Sequence, residues 1–327
     1  MAATSPRVTE MYRAVTDVRE VREYLSGFPI FAFDFETAPD ALYRDEERAA
    51  LDPHKSHIVG ISFSVSEGSG IYIPIAHKVG ENVSDSAALW EYLADVFANP
   101  AIIKAAHNLA FESAFLYARG IIIQAPVYDT ICAAQMTLKS NTAFRNLADS
   151  GLKTLVPELL DAELPSFAEV TDGRHFDELD PQDVETIRYA CADADYTLRL
   201  YHIFNAWFDR WLPKHRYIVE KIESITAVYV GLMKYNGLLA DAALMDKKRK
   251  EAEGRLARLQ EDIAFIIGDV NIGANASTLA FKKYLYEDLG LPVLKTTAKY
   301  QEAADDEALV LLKEWCEANR ADLVPLF

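Results

Sequence analysis

PIFAFDFET, residues 29–37, decides how the chain is read. As a strand it puts Ile30, Ala32, Asp34 and Glu36 on one face and Phe31, Phe33 and Phe35 on the other. Two carboxylates then share a face inside an apolar run. A bare D-x-E is most often a pair of solvated acids at a strand edge. The three phenylalanines opposite argue instead for a buried strand, where a carboxylate pair is costly unless a cation neutralises it. Working outward, HIVGISFSV (57–65) and GIYIPIA (70–76) are rich in β-branched and aromatic residues around EGSG, which predicts a hairpin. Residues 86–98 have helical spacing. AIIKAA (101–106) reads as a buried strand, NLAFESAFLYARG (108–120) as a helix ended by Gly120, and IIIQAPVYDT (121–130) as a further strand. Strands alternating with helices predict an α/β domain with a mixed sheet, hairpin strands first and crossovers after. Residues 1–25 read as a lead-in with an amphipathic turn carrying Val18, Val21 and Leu25.

The rest is helical. A helix is predicted from Asp180–Pro181 to about residue 210, with Pro at its first turn. Trp211–Leu212–Pro213 marks a boundary. Helices follow over 216–235, 242–267, 277–289 and 305–318, with a turn at Asn236–Gly237. This divides the chain into 26–212 and an all-helical segment, 213–327. The lysine-rich run at 247–250 is expected as a solvated helix face.

Of 327 residues, half are apolar and a quarter charged, a globular composition. No apolar run approaches the ~18 residues of a membrane helix, and no signal-peptide pattern opens the chain. The three cysteines, Cys132, Cys191 and Cys316, lie far apart, which excludes a disulfide framework or thiolate zinc site and fits a cytoplasmic, reduced setting. The net charge of −17 argues against a general nucleic-acid binder. Residues 1–210 hold 17 basic and 32 acidic residues, so the acidity belongs to the first part.

Two more acidic sites follow the D-x-E pair. In HNLAFE (107–112), Asn108 and Glu112 share a helix face at i, i+4, at the C-terminal end of a predicted strand, where α/β sheets place ligands. The plainer alternative is an N-cap Asn and a surface Glu. In YACADAD (189–195), Tyr189 and Asp193 stack at i, i+4, while Ala190, Ala192 and Ala194 let the helix lie close to a sheet. Asp195 points elsewhere and is expected as a solvated or capping acid.

The order D-x-E, H-N-x-x-F-(D/E), Y-x-x-x-D resembles the three-part signature of DEDDy 3′–5′ exonucleases. FAFDFET, AAHNLAFESAFL and YACADADYTLRLY are similar to the exonuclease motifs of the proofreading domain of A-family DNA polymerases, and VYDTICAAQM (127–136) and GLKTLVPELL (151–160) to its connecting segments. The resemblance covers about residues 26–210. It implies an RNase H-like (DnaQ-like) fold and two divalent cations, Mg²⁺ or Mn²⁺, about 4 Å apart, held by oxygen ligands. It implies Asp34 bridging both ions, Glu36 and Asp193 as ligands of the ion that activates water, and Tyr189 orienting that water through its hydroxyl. Glu112 stands where the family has Asp, on the second ion, with an arm one methylene longer. Asn108 and Phe111 are implied as substrate contacts, with Phe and Tyr rings stacking on terminal bases. Such ions reverse the local charge and reconcile an acidic protein with DNA.

IESITAVYVGLMKYNGLLADAALM (222–245) and NIGANASTLAFKKYLYEDLGLPVLKTTAKY (271–300) resemble the start of the polymerase thumb. Lys282, Lys283, Lys295, Thr296, Thr297 and Lys299 are then candidates for duplex phosphates. No DYSxxE-like or HDE-like segment is found, so DNA synthesis by this chain alone is not expected. The apolar LVPLF at 323–327 suits a fragment of a longer polymerase or a subunit whose partner carries palm and fingers. The expected substrate is the 3′ end of single-stranded DNA, with primer–template DNA as partner, in a bacterial or phage-infected cell. The competing readings are an RNase D-like RNA exonuclease and a binding module with a weakened site.

Overall fold

In the computed structural model, the structure describes residues 11–138, 149–267, 279–297 and 300–327. They form two compact units, Met1–Gly237 and Leu238–Phe327.

In the first unit β1 (Met11–Ala14) leads into α1 (Val18–Leu25), whose Val18, Val21 and Leu25 are buried as expected. β2 (Ile30–Pro39), β3 (Ser56–Ser64) and β4 (Ser69–Pro74) follow, then α2 (Ser86–Ala98), β5 (Ile103–Ala106), α3 (Leu109–Ala118) and β6 (Val127–Asp129). α4 (Thr130–Leu138), α5 (Leu152–Leu160), α6 (Phe167–Thr171), α7 (Val184–Arg210), α8 (Pro213–Ile218) and α9 (Ser224–Asn236) complete the unit. The sheet order is β1-β4-β3-β2-β5-β6. β3 runs antiparallel to β2 and β4, while β1–β4, β2–β5 and β5–β6 pair in parallel. This helix-flanked mixed sheet is the RNase H-like arrangement expected.

β2 behaves as its alternation predicts. Phe31, Phe33 and Phe35 enter one apolar cluster with Phe63, Phe97, Leu89 and Leu93. Ile30 and Ala32 enter another, with Leu198, Leu200 and Phe204 of α7. β2 is central and covered on both faces, so its acids are not at a solvated edge.

Three expectations differ from the structure. The lead-in is part of the sheet, because β1 pairs with β4 through Met11–Ser69 to Ala14–Tyr72. α7 begins at Val184, capped by the Asp183 carboxylate, which accepts from the Glu185 and Thr186 amides; Pro181 precedes it in a turn. The compact division falls at Gly237 rather than 212. Pro213 reads as a break, but it opens α8, and α8 and α9 pack with the first unit.

α9 lies against α3 at Gly231. A Cβ there would come within 2.6 Å of the Ala110 carbonyl oxygen and 2.7 Å of Ser113 Cβ. Backbone cannot yield as a side-chain tip does, so Gly231→Ala should destabilise the first unit by about 1–3 kcal/mol, read as a lowered melting temperature.

In the second unit α10 (Ala242–Ile267) bears Lys247, Lys248, Arg249 and Lys250 on an exposed surface, paired with Asp246, Glu251 and Glu253, as expected of a solvated face. α11 (Leu279–Lys283) and α12 (Asp306–Asn319) flank a small core of Leu285, Leu291, Leu312 and Cys316. Leu323, Val324, Leu326 and Phe327 pack on this core.

Candidate active site

Asp34 and Glu36 leave β2 on the face that α7 covers. The ladder shifts register between Glu36 and Thr37, a bulge that re-aims the strand at the second acid. Glu36 pairs in register with Gly60, which must be glycine: a Cβ there would sit 2.1 Å from the Tyr72 hydroxyl. Tyr72 is held in turn. The His77 ring lies between the Leu179 carbonyl, 2.8 Å from Nδ1, and the Tyr72 hydroxyl, 2.7 Å from Nε2. A carbonyl only accepts, so Nδ1 carries the proton and Nε2 accepts from Tyr72. Burial pushes the His77 pKa down, which keeps the ring neutral.

α7 brings the third acid. Ala190, Ala192 and Ala194 are buried, and Cys191 packs so closely on Gly70 that a Cβ there would meet its Cβ at 2.8 Å. At that distance Asp193 meets the β2 acids. Asp34, Glu36 and Asp193 each offer a carboxylate oxygen, all within 4.8 Å of one another. Tyr189, one turn earlier, packs on Phe176 with ring centroids 5.9 Å apart.

Glu36 and Asp193 are buried and Asp34 is half-buried, so the electrostatics are those of crowded acids withdrawn from water. Burial, then the charge of Asp193, pushes Asp34 up to about 8. Glu36 is raised well above the carboxylate range by burial and by both neighbouring acids. Asp193 is raised by burial, opposed by Lys153. Tyr189 is raised by burial, with Glu36 the next cause, so its hydroxyl keeps its proton and can donate. Glu36 Oε1 is buried with no hydrogen-bond partner. An oxygen-only trio with an orphaned oxygen fits a hard divalent cation such as Mg²⁺ or Mn²⁺.

Glu112 is not the surface acid of the plainer reading: it is 1% exposed in the first turn of α3. Its Oε2 is buried without a partner. Burial, then the charge of Asp34, raises it well above the carboxylate range. It is not among the acids whose oxygens lie within 4.8 Å of one another. Asp129 at the end of β6 fixes the start of α3, accepting from the Asn108 amide at 3.2 Å and the Leu109 amide at 3.0 Å. Asn108 itself is exposed and left-handed, with φ at 81°. Phe111 is half-buried, its ring centroid 4.8 Å from that of Phe115.

Lys295 in the second unit is engaged with acids of its own unit, its ammonium 2.9 Å from Asp305 and 2.5 Å from Glu307. Lys299 lies outside the described residues. Asp195, expected as a solvated or capping acid, is fully buried. It pairs with Arg199 at 2.6 Å and accepts from the Tyr12 hydroxyl and the Gly68 amide, tying α7 to β1 and the hairpin turn.

Sequence reasoning missed Lys153, on the first turn of α5. Its Nζ is 2.5 Å from Asp193 Oδ1 and 4.6 Å from the Tyr189 ring centroid. The signal is faint, because the two partners are 40 residues apart.

Among the described residues no helix is long and apolar enough to cross a membrane. The chain is similar to DNA polymerase I of Pseudomonas aeruginosa, 26% identical over 88% of this chain and 31% of that protein. It is also similar to DNA polymerase I of Chloroflexus aurantiacus, 33% identical over 61% of this chain and 19% of that protein. The chain thus spans less than a third of either relative's length. Among solved structures, its fold is similar to the POL domain of Pol1 from M. smegmatis in complex with DNA primer-template and dNTP. That match has a TM-score of 0.64 and 17% identity, over 93% of this chain and 46% of that one. The catalytic core of RRP6 from Trypanosoma brucei matches with a TM-score of 0.51 and 16% identity, over 69% and 54%. Residues 10–207, more than half of the chain, match the model of a family described as 3′–5′ exonuclease, and the chain belongs to that family.

Proposed function

We propose that this chain hydrolyses single-stranded DNA from its 3′ end, releasing nucleoside monophosphates, as the proofreading portion of an A-family DNA polymerase. The observation that carries this reading is the convergence of Asp34, Glu36 and Asp193 within 4.8 Å, in a chain of the 3′–5′ exonuclease family. Relatives named DNA polymerase I support DNA as the substrate. Divalent cations at such a site supply a nucleophile from water at neutral pH and neutralise charge at the scissile phosphate.

The residues divide the work. Asp34, Glu36 and Asp193 would hold the cations, with Glu112, buried in the first turn of α3, completing the acidic set. Tyr189 keeps its proton and donates it as a hydrogen bond toward the attacking water, its ring fixed against Phe176. Asn108 and Phe111, at the start of α3, line the approach of the 3′-terminal nucleotide.

A 5′-labelled single strand tests the proposal. With Mg²⁺ or Mn²⁺ a DNA ladder shortening from the 3′ end is expected, and chelation with EDTA should abolish it. An RNA strand of the same sequence should be cut far more slowly, since a pocket fitted to deoxyribose has to accommodate and desolvate an extra hydroxyl on each sugar. Faster cutting of RNA would move the protein to the RNA-trimming reading. Binding without any ladder would favour the binding module.

A further inference from the structure

The three-acid cluster carries a cation of its own. Lys153 stands on the first turn of α5, and its ammonium reaches Asp193 Oδ1 at 2.5 Å while lying 4.6 Å from the Tyr189 ring centroid. It therefore touches both residues that α7 contributes to the site. We propose that Lys153 is the resident counter-charge of this site, occupying the side of Asp193 that a divalent cation needs, so that cation binding proceeds by displacing the lysine.

Three observations support this. First, Lys153 pairs with Asp193, which leaves the oxygens of Asp34 and Glu36 to attract a divalent ion while the lysine is in place. Second, the Asp193 carboxylate is only 12% exposed, whereas the Lys153 side chain is 38% exposed. The acid is fixed, and the lysine approaches from solvent. Third, a lysine is a compact charge on a flexible stem, with no planar fork to lock it onto a carboxylate. The ammonium, on the more exposed side chain, returns to water readily, and an arriving divalent ion takes over the charge of the buried Asp193 carboxylate. The lysine can hold the acids together without metal and withdraw when metal arrives. Near Tyr189 its charge also keeps the ring and Asp193 in one arrangement, so the vacated site is already shaped.

The inference rests on the cation site described above, and its test separates the two. Mn²⁺ alone is titrated into the full chain without nucleic acid, and free Mn²⁺ is followed by electron paramagnetic resonance. Lys153→Met should bind Mn²⁺ roughly three- to tenfold more tightly than wild type, because no ammonium has to leave. With EDTA present, the same variant should melt below wild type, having lost its counter-charge. Lys153→Arg keeps the charge and adds a fork, so its Mn²⁺ affinity should equal wild type or fall below it; should Lys153→Met not fold, this variant carries the test. Equal or weaker Mn²⁺ binding by folded Lys153→Met, or tighter binding by Lys153→Arg, overturns the inference while leaving the cation site standing. A wild type that takes up no Mn²⁺, or takes it up unchanged in Asp193→Asn, overturns the site and the inference together.

Discussion

Asp34→Asn is expected to abolish exonuclease activity and, with metal chelated, to make the protein more stable. The two effects have one cause. Asp34 offers its carboxylate to a trio whose oxygens lie within 4.8 Å of one another, and several kcal/mol of transition-state charge stabilisation depend on ions held there. At 1.36 kcal/mol per decade, the loss is roughly 10³-fold or more in rate. Without cations the same carboxylate is a liability. Its pKa is pushed from 3.8 up to about 8, by burial first and by Asp193 second. Folded protein therefore keeps the proton over a range where the unfolded chain has released it. The stability tied to that proton is fully present below about pH 4 and is lost as pH climbs through about 8. Chelated wild type should melt lower at about pH 9 than at about pH 6, and Asp34→Asn should flatten that slope. Mn²⁺ should restore the wild type at high pH and do little for the variant. A chelated variant no more stable than wild type at about pH 9 would contradict the burial of an uncompensated charge at Asp34.

How much of this was legible in the sequence depends on the separation between partners. β2 was legible residue by residue, because its period of two is local and its acids interrupt an apolar run. The acid at 193 was legible through the small residues around it, which announce a helix pressed against something flat. β1 was not legible. MYRA is short and half-exposed, and its partners in β4 lie 58 residues on in the ladder, Met11 facing Ser69. Asp195 misled for a similar reason. Its Arg199 partner is one helical turn away, but the Tyr12 and Gly68 groups that it accepts from come from β1 and the hairpin turn, far away in the chain. Glu112 could be placed on a helix by its spacing, yet its burial depends on how α3 meets α9 and β5. The boundary after Trp211 is a different case: the stretch that matches the exonuclease family ends at residue 207, while the compact unit runs on to Gly237. A proline that ends one helix also starts another well, and which of the two it does is decided by what α8 packs against.

Tyr189→Phe should separate orientation from metal binding. The hydroxyl is the only atom removed, and the ring that packs on Phe176 at 5.9 Å stays. Burial and the surrounding acids hold that hydroxyl in its protonated form, so it acts as a donor across the whole working pH range and titrates in none of it. Its loss should therefore lower the rate by about 10²-fold, the cost of a misplaced nucleophile, without adding a new limb to the pH–rate profile. Mn²⁺ affinity should be nearly unchanged, because the oxygens of Asp34, Glu36 and Asp193 are untouched. A large fall in Mn²⁺ affinity would make Tyr189 a support of the acids instead. An unchanged rate would remove it from the chemistry altogether and leave the i, i+4 stacking of Tyr189 on Asp193 as packing alone.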